Sequence, residues 1–143
     1  MHITLEADYA VRIVYCLALA DKRMDAKAIS EETSVTLRFS LKILRKLVSG
    51  GIVRSFKGTQ GGYELARSPK EISLNDVIET VEGPFSLSRC LGGEYVCTKS
   101  SAGGVPCPFR GIYDEISSEV VQRMKAFTFD QALPRESAAK KLP

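Results

Sequence analysis

The first third of the chain repeats its apolar residues with the period of an α-helix. This spacing over residues 5–20 predicts an amphipathic helix with Thr4 as its candidate N-cap. The inward side of the pattern consists of Tyr9, Ala10, Ile13, Val14 and Leu17. A short break at residues 21–24 precedes a second, shorter predicted helix over about 25–32, for which Asp25 is the candidate cap.

A third helix is predicted to begin at Ser34, its candidate cap, and to end at the pair Gly50-Gly51. Its apolar stripe is formed by Leu37, Leu41, Leu44, Leu47 and Val48. Its basic residues project from a different face and are Arg38, Lys42 and Arg45. The third helix is therefore expected to bury one side and to present a basic side to its surroundings.

Residues 52–56 and 63–66 each alternate apolar and polar side chains, which is typical of short β-strands. The glycine-rich segment Lys-Gly-Thr-Gln-Gly-Gly between them predicts the turn of a hairpin. Three helices followed by a two-stranded ribbon is the element order of a winged helix-turn-helix. We therefore predict a mainly α fold in which residues 1–67 form a winged helix-turn-helix domain with a two-stranded wing.

The second half of the chain is predicted to hold two further helices around a loop. Residues 68–84 form a connecting helix, 85–108 a loop, 109–130 a long helix and 131–143 a flexible tail. The apolar positions of the long helix are Phe109, Ile112, Tyr113, Ile116, Val120, Met124 and Phe127. Because this stripe needs a partner, and a symmetry-related copy is the economical one, we predict a dimerisation helix and a homodimer.

The chain has 143 residues, which fits one domain of ordinary size or a small domain with an oligomerisation arm, and its 44% hydrophobic content is enough for a real core. The formal net charge of +3 is distributed unevenly along the chain. Residues 1–67 hold 11 Lys/Arg against 7 Asp/Glu, whereas residues 68–143 hold 9 against 10. No acidic residue lies between Glu32 and Glu64. This basic segment suits a polyanionic partner, and a solvated basic face is the alternative.

In a helix-turn-helix protein the second helix of the pair enters the major groove of double-stranded DNA. This predicts contacts with an operator from Thr36, Arg38, Ser40, Lys42 and Arg45 on the third helix and from Lys57, Thr59 and Gln60 at the wing tip. Arg38 is the first candidate for base discrimination, because an arginine makes a bidentate contact with guanine. The alternative is a winged helix that binds another protein.

Three of the four cysteines, Cys90, Cys97 and Cys107, lie in the loop at gaps of six and nine residues. This glycine-rich segment has too little apolar surface to order itself. Thiolates are soft ligands that suit an iron–sulfur cluster or zinc, although structural zinc sites usually contain more closely spaced cysteine pairs. An iron–sulfur cluster, zinc or another metal, and a metal-free thiol switch all remain open. Cys16 is expected to be a small core residue.

Four motifs, taken in order, carry a resemblance to a known family. They are Ile-Thr-Leu-Glu-Ala-Asp-Tyr-Ala-Val-Arg, Gly-Gly-Ile-Val, Lys-Gly-Thr-Gln-Gly-Gly-Tyr and Leu-x-x-Val-Ile-x-x-Val-Glu-Gly before the cysteines. Over residues 1 to about 130 the chain resembles the Rrf-type winged-helix regulators. The resemblance implies a homodimeric bacterial transcription factor, usually a repressor, with an iron–sulfur cluster in the cysteine-bearing branch. A cluster-free regulator that responds to a thiol switch, a small molecule or a partner protein is the alternative.

The resemblance also implies a ligand set. The three cluster cysteines of the family match Cys90, Cys97 and Cys107. In the nitric-oxide-sensing members, the fourth ligand looks like a carboxylate near the start of the partner's first helix, and Asp8 has the matching position. A histidine that other members carry three residues after the last cysteine is replaced by Arg110. The cluster that the resemblance implies is 2Fe–2S or 4Fe–4S, with the nuclearity left open. Asp8 could instead serve only in the first helical turn, where the helix dipole favours it.

Other function classes are disfavoured by the sequence. It contains no nucleophile–base constellation and no phosphate-binding Gly-x-x-x-x-Gly-Lys motif, and it has one histidine, His2. The apolar run at residues 7–20 is too short and too charged to cross a membrane, and no signal-peptide pattern precedes it. We therefore expect a non-enzymatic cytoplasmic protein, in a compartment where thiols stay reduced.

Overall fold

The structure, a computed structural model, describes residues 2–98 and 107–135. These ranges contain five α-helices and a two-stranded antiparallel sheet. In chain order the elements are α1 (Leu5–Ala20), α2 (Ala26–Thr33), α3 (Leu37–Ser49), β1 (Val53–Phe56), β2 (Gly62–Leu65), α4 (Leu74–Glu82) and α5 (Pro108–Ala126). This order confirms the predicted mainly helical fold with a two-stranded wing after the third helix.

The helix α1 is the central element of the core. Thr4 caps it, because the Thr4 hydroxyl accepts a 3.1 Å hydrogen bond from the amide of Ala7. Glu82, the last residue of α4, accepts hydrogen bonds from the Thr4 amide at 3.0 Å and from the Thr4 hydroxyl. The apolar face of α1 packs against α2, α3 and α4. The residues of the core that are fully buried include Ala7, Ala10, Ile13, Val14, Ile29, Ile43, Leu44, Leu47, Ile52, Ile72 and Val77.

The helix α3 begins later than its sequence suggests. The predicted cap, Ser34, instead ends α2 in a left-handed conformation with φ of 56°. Thr36 is the cap of α3, because its hydroxyl accepts a 3.3 Å hydrogen bond from the amide of Phe39. The expectation that Ser34 caps the third helix is therefore wrong.

The inward face of α3 also differs from the predicted stripe. Leu37 and Leu41 are 46% and 39% exposed, whereas the buried positions of the helix are Ser40, Ile43, Leu44 and Leu47. The buried row begins with a polar residue, and the Ser40 hydroxyl donates to the carbonyl of Val35 at 3.4 Å. The apolar pattern does not predict the burial of this serine, because its hydroxyl can be buried only once it has found a hydrogen-bond partner inside the fold.

The wing is a hairpin that the segment between α1 and α2 holds from one side. Strands β1 and β2 pair from Val53 opposite Leu65 to Phe56 opposite Gly62. Met24 extends this sheet, because its amide donates to the Tyr63 carbonyl at 2.9 Å and its carbonyl accepts from the Tyr63 amide at 2.7 Å. The part of β2 that follows the turn is therefore fixed to the segment between α1 and α2.

The helix α5 ends at Ala126, four residues before the predicted end at residue 130. Phe127 is extended, and its carbonyl accepts a 2.8 Å hydrogen bond from the amide of Leu74. Phe129 then turns inward and is 2% exposed, and its amide donates to the Ile72 carbonyl at 3.0 Å. The chain leaves the helix because pairing with the start of α4 buries this phenylalanine.

Within the described residues of α5, only Ser117 is buried. The apolar side chains of Phe109, Ile112 and Ile116 are 59%, 50% and 40% exposed. The predicted tail begins inside the 3₁₀ helix Phe129–Ala132, and its residues 136–143 lie outside the described part of the chain. The long helix thus leaves most of its apolar stripe uncovered in a single chain.

Replacing Gly62 by alanine should destabilise the protein more than the same change at Gly58. Both glycines have positive φ, of 142° and 93°, but a Cβ at Gly62 would lie 2.6 Å from the backbone oxygen of Met24, whereas a Cβ at Gly58 would meet nothing within 4 Å. We expect Gly58→Ala to lower the free energy of unfolding by about 1–2 kcal/mol and Gly62→Ala by roughly 3 kcal/mol or more. Urea denaturation measures both, and equal losses would contradict the close contact at Met24.

Candidate nucleic-acid interface and cysteine loop

The outer face of α3 carries the predicted DNA-contacting cations. Arg38, Lys42 and Arg45 are all exposed on the helix. Thr36 is exposed as well, but its hydroxyl oxygen is engaged in capping the helix. Ser40 is 0% exposed and its hydroxyl donates to a backbone carbonyl, so the expectation that it faces a base is wrong. The surface of α3 that a ligand can reach is therefore formed mainly by Arg38, Lys42 and Arg45.

Two lysines of α3 meet a single carboxylate of α1. The Glu6 side chain is 21% exposed, and its Oε1 lies 2.7 Å from Lys46 Nζ and 3.9 Å from Lys42 Nζ. Lys46 also donates to the Val81 carbonyl at 3.4 Å, and so connects α3 to both α1 and α4. Among the described residues, no carboxylate lies within ion-pair distance of Arg38 or Arg45. The positive charge of the two arginines is therefore available to an anion.

The wing tip presents the other predicted contacts. Lys57, Thr59 and Gln60 are all exposed in the turn between β1 and β2. The turn is closed by a 2.9 Å hydrogen bond from the amide of Gly61 to the carbonyl of Gly58. The side chains of the tip thus project from a defined backbone turn.

Arg23 contacts the wing at two points, and the sequence pattern does not predict this role. Its guanidinium carbon lies 3.4 Å from the centroid of the Phe56 ring, and its Nη1 donates to the Gln60 carbonyl at 3.0 Å. These contacts join the segment before α2 to both the strand and the tip of the wing. A sequence pattern contains no signal for them, because they link residues more than thirty positions apart through the fold.

The cysteine loop is attached to α5 at its base. The Leu87 amide donates to the buried Ser117 hydroxyl at 2.8 Å, and this hydroxyl donates to the Tyr113 carbonyl at 2.6 Å. Arg110, on the first turn of α5, donates to the Cys90 carbonyl at 2.5 Å. The start of the loop is therefore held by two residues of the long helix.

The three loop cysteines occupy different surroundings. Cys90 lies in the 3₁₀ helix Arg89–Leu91 and is half-buried, as is Cys97, which precedes the undescribed residues 99–106. Cys107 is exposed and is the N-cap residue of α5. In residues 2–98 and 107–135, no three His, Cys, Asp or Glu side chains are gathered closely enough to hold a metal ion. The fit to a cluster therefore rests on the donor chemistry, which consists of soft thiolates, one of them at the positive end of a helix.

Asp8, the predicted fourth ligand, lies on the exposed part of the first turns of α1. Its side chain is 40% exposed, and its Oδ2 lies 2.8 Å from Arg12 Nη2 in an ion pair one turn apart. The guanidinium of Arg12 also lies 5.3 Å from the centroid of the Tyr9 ring. Asp8 is thus accessible to a second chain, and it pairs with Arg12 within its own chain.

Cys16 is separate from the loop. It lies half-buried on α1, where its sulfur contacts the Met24 sulfur at 3.8 Å. Burial, to which the negative charge of Glu32 adds, raises the pKa of the Cys16 thiol. The thiol therefore stays protonated at neutral pH and is a poor metal ligand, in keeping with a packing role.

The comparison with known proteins agrees with this architecture. Residues 3–135 match the model of the Rrf2 family, described as an iron-dependent transcriptional regulator. The chain belongs to the Rrf2 family. The family model and the relatives named NsrR and IscR are described as transcriptional regulators, a class of non-enzymatic proteins. In the described part of the chain, no helix is both long enough and apolar enough to cross a membrane.

The individual relatives of this Rrf2 protein share between a fifth and a third of its residues. It is 33% identical over 109 residues to the protein aau3 of Rhizobium meliloti, covering 76% of this chain and only 65% of the length of aau3. It is 25% identical over 138 residues to the regulator NsrR of Halalkalibacterium halodurans, covering 95% and 92% of the two chains. The structure of CymR, the global cysteine regulator of B. subtilis, matches with a TM-score of 0.74 at 22% identity, covering 92% and 95%. This last likeness supports the fold alone.

Replacing Arg23 by alanine should weaken DNA binding through the wing. Loss of one ring contact and one hydrogen bond predicts roughly tenfold lower affinity for duplex DNA, measured by fluorescence anisotropy. Hydroxyl-radical footprinting should show loss of protection on the wing side and retained protection by α3. Arg23→Lys, which keeps the charge without the planar fork, should recover only part of the affinity.

The neighbouring Lys22→Ala variant is the matched control, since Lys22 is exposed and has the same charge. If Lys22→Ala and Arg23→Ala weakened binding equally and left the footprint unchanged, Arg23 would act only through its charge.

Proposed function

We propose that the protein is a homodimeric repressor whose binding to a double-stranded DNA operator is controlled by an iron–sulfur cluster. Cys90, Cys97 and Cys107 would hold the cluster, with Asp8 of the second copy as the fourth ligand. The cluster would be 2Fe–2S or 4Fe–4S and would report redox state, nitric oxide, or the supply of iron or of clusters. A cytoplasmic location suits this role, because thiols stay reduced there.

The operator-binding part of the proposal is supported by the charge of the outer face of α3. Arg38 and Arg45 are exposed without a carboxylate at ion-pair distance among the described residues, and Lys42 is weakly paired at 3.9 Å. Helix α3 would enter the major groove, with Arg38 toward a guanine and Arg45 toward the phosphates. Lys57, Thr59 and Gln60 would contact the adjoining backbone or minor groove from the wing.

The dimer is supported by the uncovered stripe of α5. Three large apolar side chains of this helix are at least 40% exposed, and a helix 19 residues long with one buried residue has little reason to persist alone. A second copy would cover this stripe in a two-fold symmetric contact.

The sensing part of the proposal is supported by the attachment of the cysteine loop to this same helix. A bound cluster would supply a centre that oxygen, nitric oxide or iron loss can alter. Ser117 and Arg110 hold the start of the loop on α5. A displacement of the loop would therefore act on the dimer helix, and a change in the dimer would alter the separation of the two α3 helices, which must match the roughly 34 Å spacing of half-sites.

A second candidate is a cluster-free regulator that uses its loop thiols as a switch or responds to a small molecule or a protein partner. One observation favours it, which is that the described side chains include no group of three or more metal ligands.

Removal of one loop cysteine tests the sensing proposal. After anaerobic reconstitution with iron and sulfide, the wild-type protein should hold both elements, and Cys97→Ala should lose most of them. Affinity for DNA duplexes selected by the wild-type protein should change on iron removal in the wild type and stay constant in Cys97→Ala.

Cys16→Ala is the matched control, since Cys16 lies on α1 and its thiol stays protonated. Wild-type protein that remains colourless and free of iron would favour the second candidate. Equal metal content and an equal DNA response in Cys97→Ala would rule out Cys97 as a ligand.

A charge placed on the α5 stripe tests the dimer. Ile112→Asp introduces two buried carboxylates per dimer, and loss of the isoleucine contacts alone predicts at least about a hundredfold weaker association. Analytical ultracentrifugation measures the dissociation constant. Gln122→Asp, which adds the same charge at an exposed position off the stripe, should leave it unchanged. An Ile112→Asp protein that dimerises like the wild type would place the dimer contact elsewhere.

A further inference from the structure

Two leucines on the outer face of α3 have no role in the core. Leu37 and Leu41 are 46% and 39% exposed and lie one helical turn apart. They share the outer side of the helix with Arg38, Lys42 and Arg45, away from the buried row that begins at Ser40. The exposed apolar surface is therefore interleaved with the cations of the proposed DNA-contacting face.

We propose that Leu37 and Leu41 contact the 5-methyl groups of thymines in the major groove of the operator. This inference rests on the proposed operator binding by α3. The thymine methyl is the apolar group that the major-groove edge of the base pairs presents, and an aliphatic side chain is its natural contact. Arg38, between the two leucines in sequence, would contact a guanine in the same half-site.

The spacing of the leucines limits where these thymines lie. Four residues of α-helix rise by about 6 Å, and successive base pairs of DNA are separated by about 3.4 Å. The two methyl groups are therefore expected one or two base pairs apart within each half-site. They can lie on either strand, because both strands expose thymine methyls in the groove.

A second copy of the chain is a poor occupant of this face. A two-fold contact through α3 would bring Arg38, Lys42 and Arg45 against the same cations of the partner, and like charges in a contact are unfavourable.

Phe39 also lies on α3 but differs from the two leucines, because its ring packs edge-on against the Tyr9 ring with centroids 5.6 Å apart. The aromatic residue serves the α1–α3 contact, whereas the two leucines face outward.

The test compares thymine with uracil, which lacks the methyl group. Full-length protein, both reconstituted with iron and sulfide and metal-free, first selects its preferred sequence from a library of random DNA duplexes. Each thymine of the selected half-site is then replaced by uracil, and affinities are measured for the wild-type, Leu37→Ala and Leu41→Ala proteins. Leu19→Ala is the matched control, since this leucine is 48% exposed on α1.

Burial of one methyl group is worth about 0.8 kcal/mol, which corresponds to a roughly fourfold change in affinity. We expect two thymine positions at which uracil weakens binding by about fourfold in the wild type and in Leu19→Ala. The loss should disappear at one position in Leu37→Ala and at the other in Leu41→Ala. Uracil tolerated at every position by the wild type, or losses that persist in both α3 variants, would overturn the inference and leave the proposed function standing.

The proposed operator binding has its own outcome in the same experiment. Arg38→Ala should weaken binding to the selected duplex and relax the preference for guanine at one position. If neither form of the protein enriched any sequence from the library, operator binding through α3 would fail and the inference on the leucines would fall with it.

Discussion

The structure depends on the burial of one face of α1. Ala7, Ala10, Ile13 and Val14 are completely inaccessible, and the two alanines let neighbouring helices approach closely. The N-terminal end of this face is fixed by polar contacts, since Glu82 reaches the Thr4 cap and Lys46 reaches Glu6. Apolar burial supplies most of the stability, whereas these partly exposed polar contacts contribute little each and mainly define the register of α1 against α3 and α4.

The position of the elements proposed to contact DNA follows from this arrangement. Helix α3 packs against α1 and buries Ile43, Leu44 and Leu47 in the core, so its opposite side faces outward with its cations. The wing is fixed differently, by backbone pairing at Met24 and by the guanidinium of Arg23. Both devices come from the short segment between α1 and α2. The segment between α1 and α2 therefore orients the wing relative to α3.

The local sequence pattern predicts the helices and strands well, but it predicts less well which of their residues are buried. Helical spacing, candidate caps and the glycine-rich turn were sufficient to predict the winged fold, because those signals act between near neighbours in sequence. The buried side of α3 differs from its apolar stripe, since the buried Ser40 donates to the carbonyl of Val35, and the spacing of apolar residues gives no sign of this hydrogen bond. The burial of Phe129 and the contacts of Arg23 with the wing could not be predicted in this way, because they depend on residues distant in sequence. The ligand assignments at the cysteines and Asp8 rest on resemblance and stay predictions.

The attachment of the cysteine loop to α5 has an entropic consequence. Seventeen positions separate Cys90 from Cys107, and bringing the ends of such a segment together in a free chain costs about 2–3 kcal/mol. Here the Cys90 carbonyl is already hydrogen-bonded to Arg110, three residues beyond Cys107. Most of the closure cost is therefore met when the protein folds, and a ligand at these two thiols would not have to bring the ends of the segment together. Such preorganisation would let a ligand of these two thiols bind and dissociate without unfolding the start of α5.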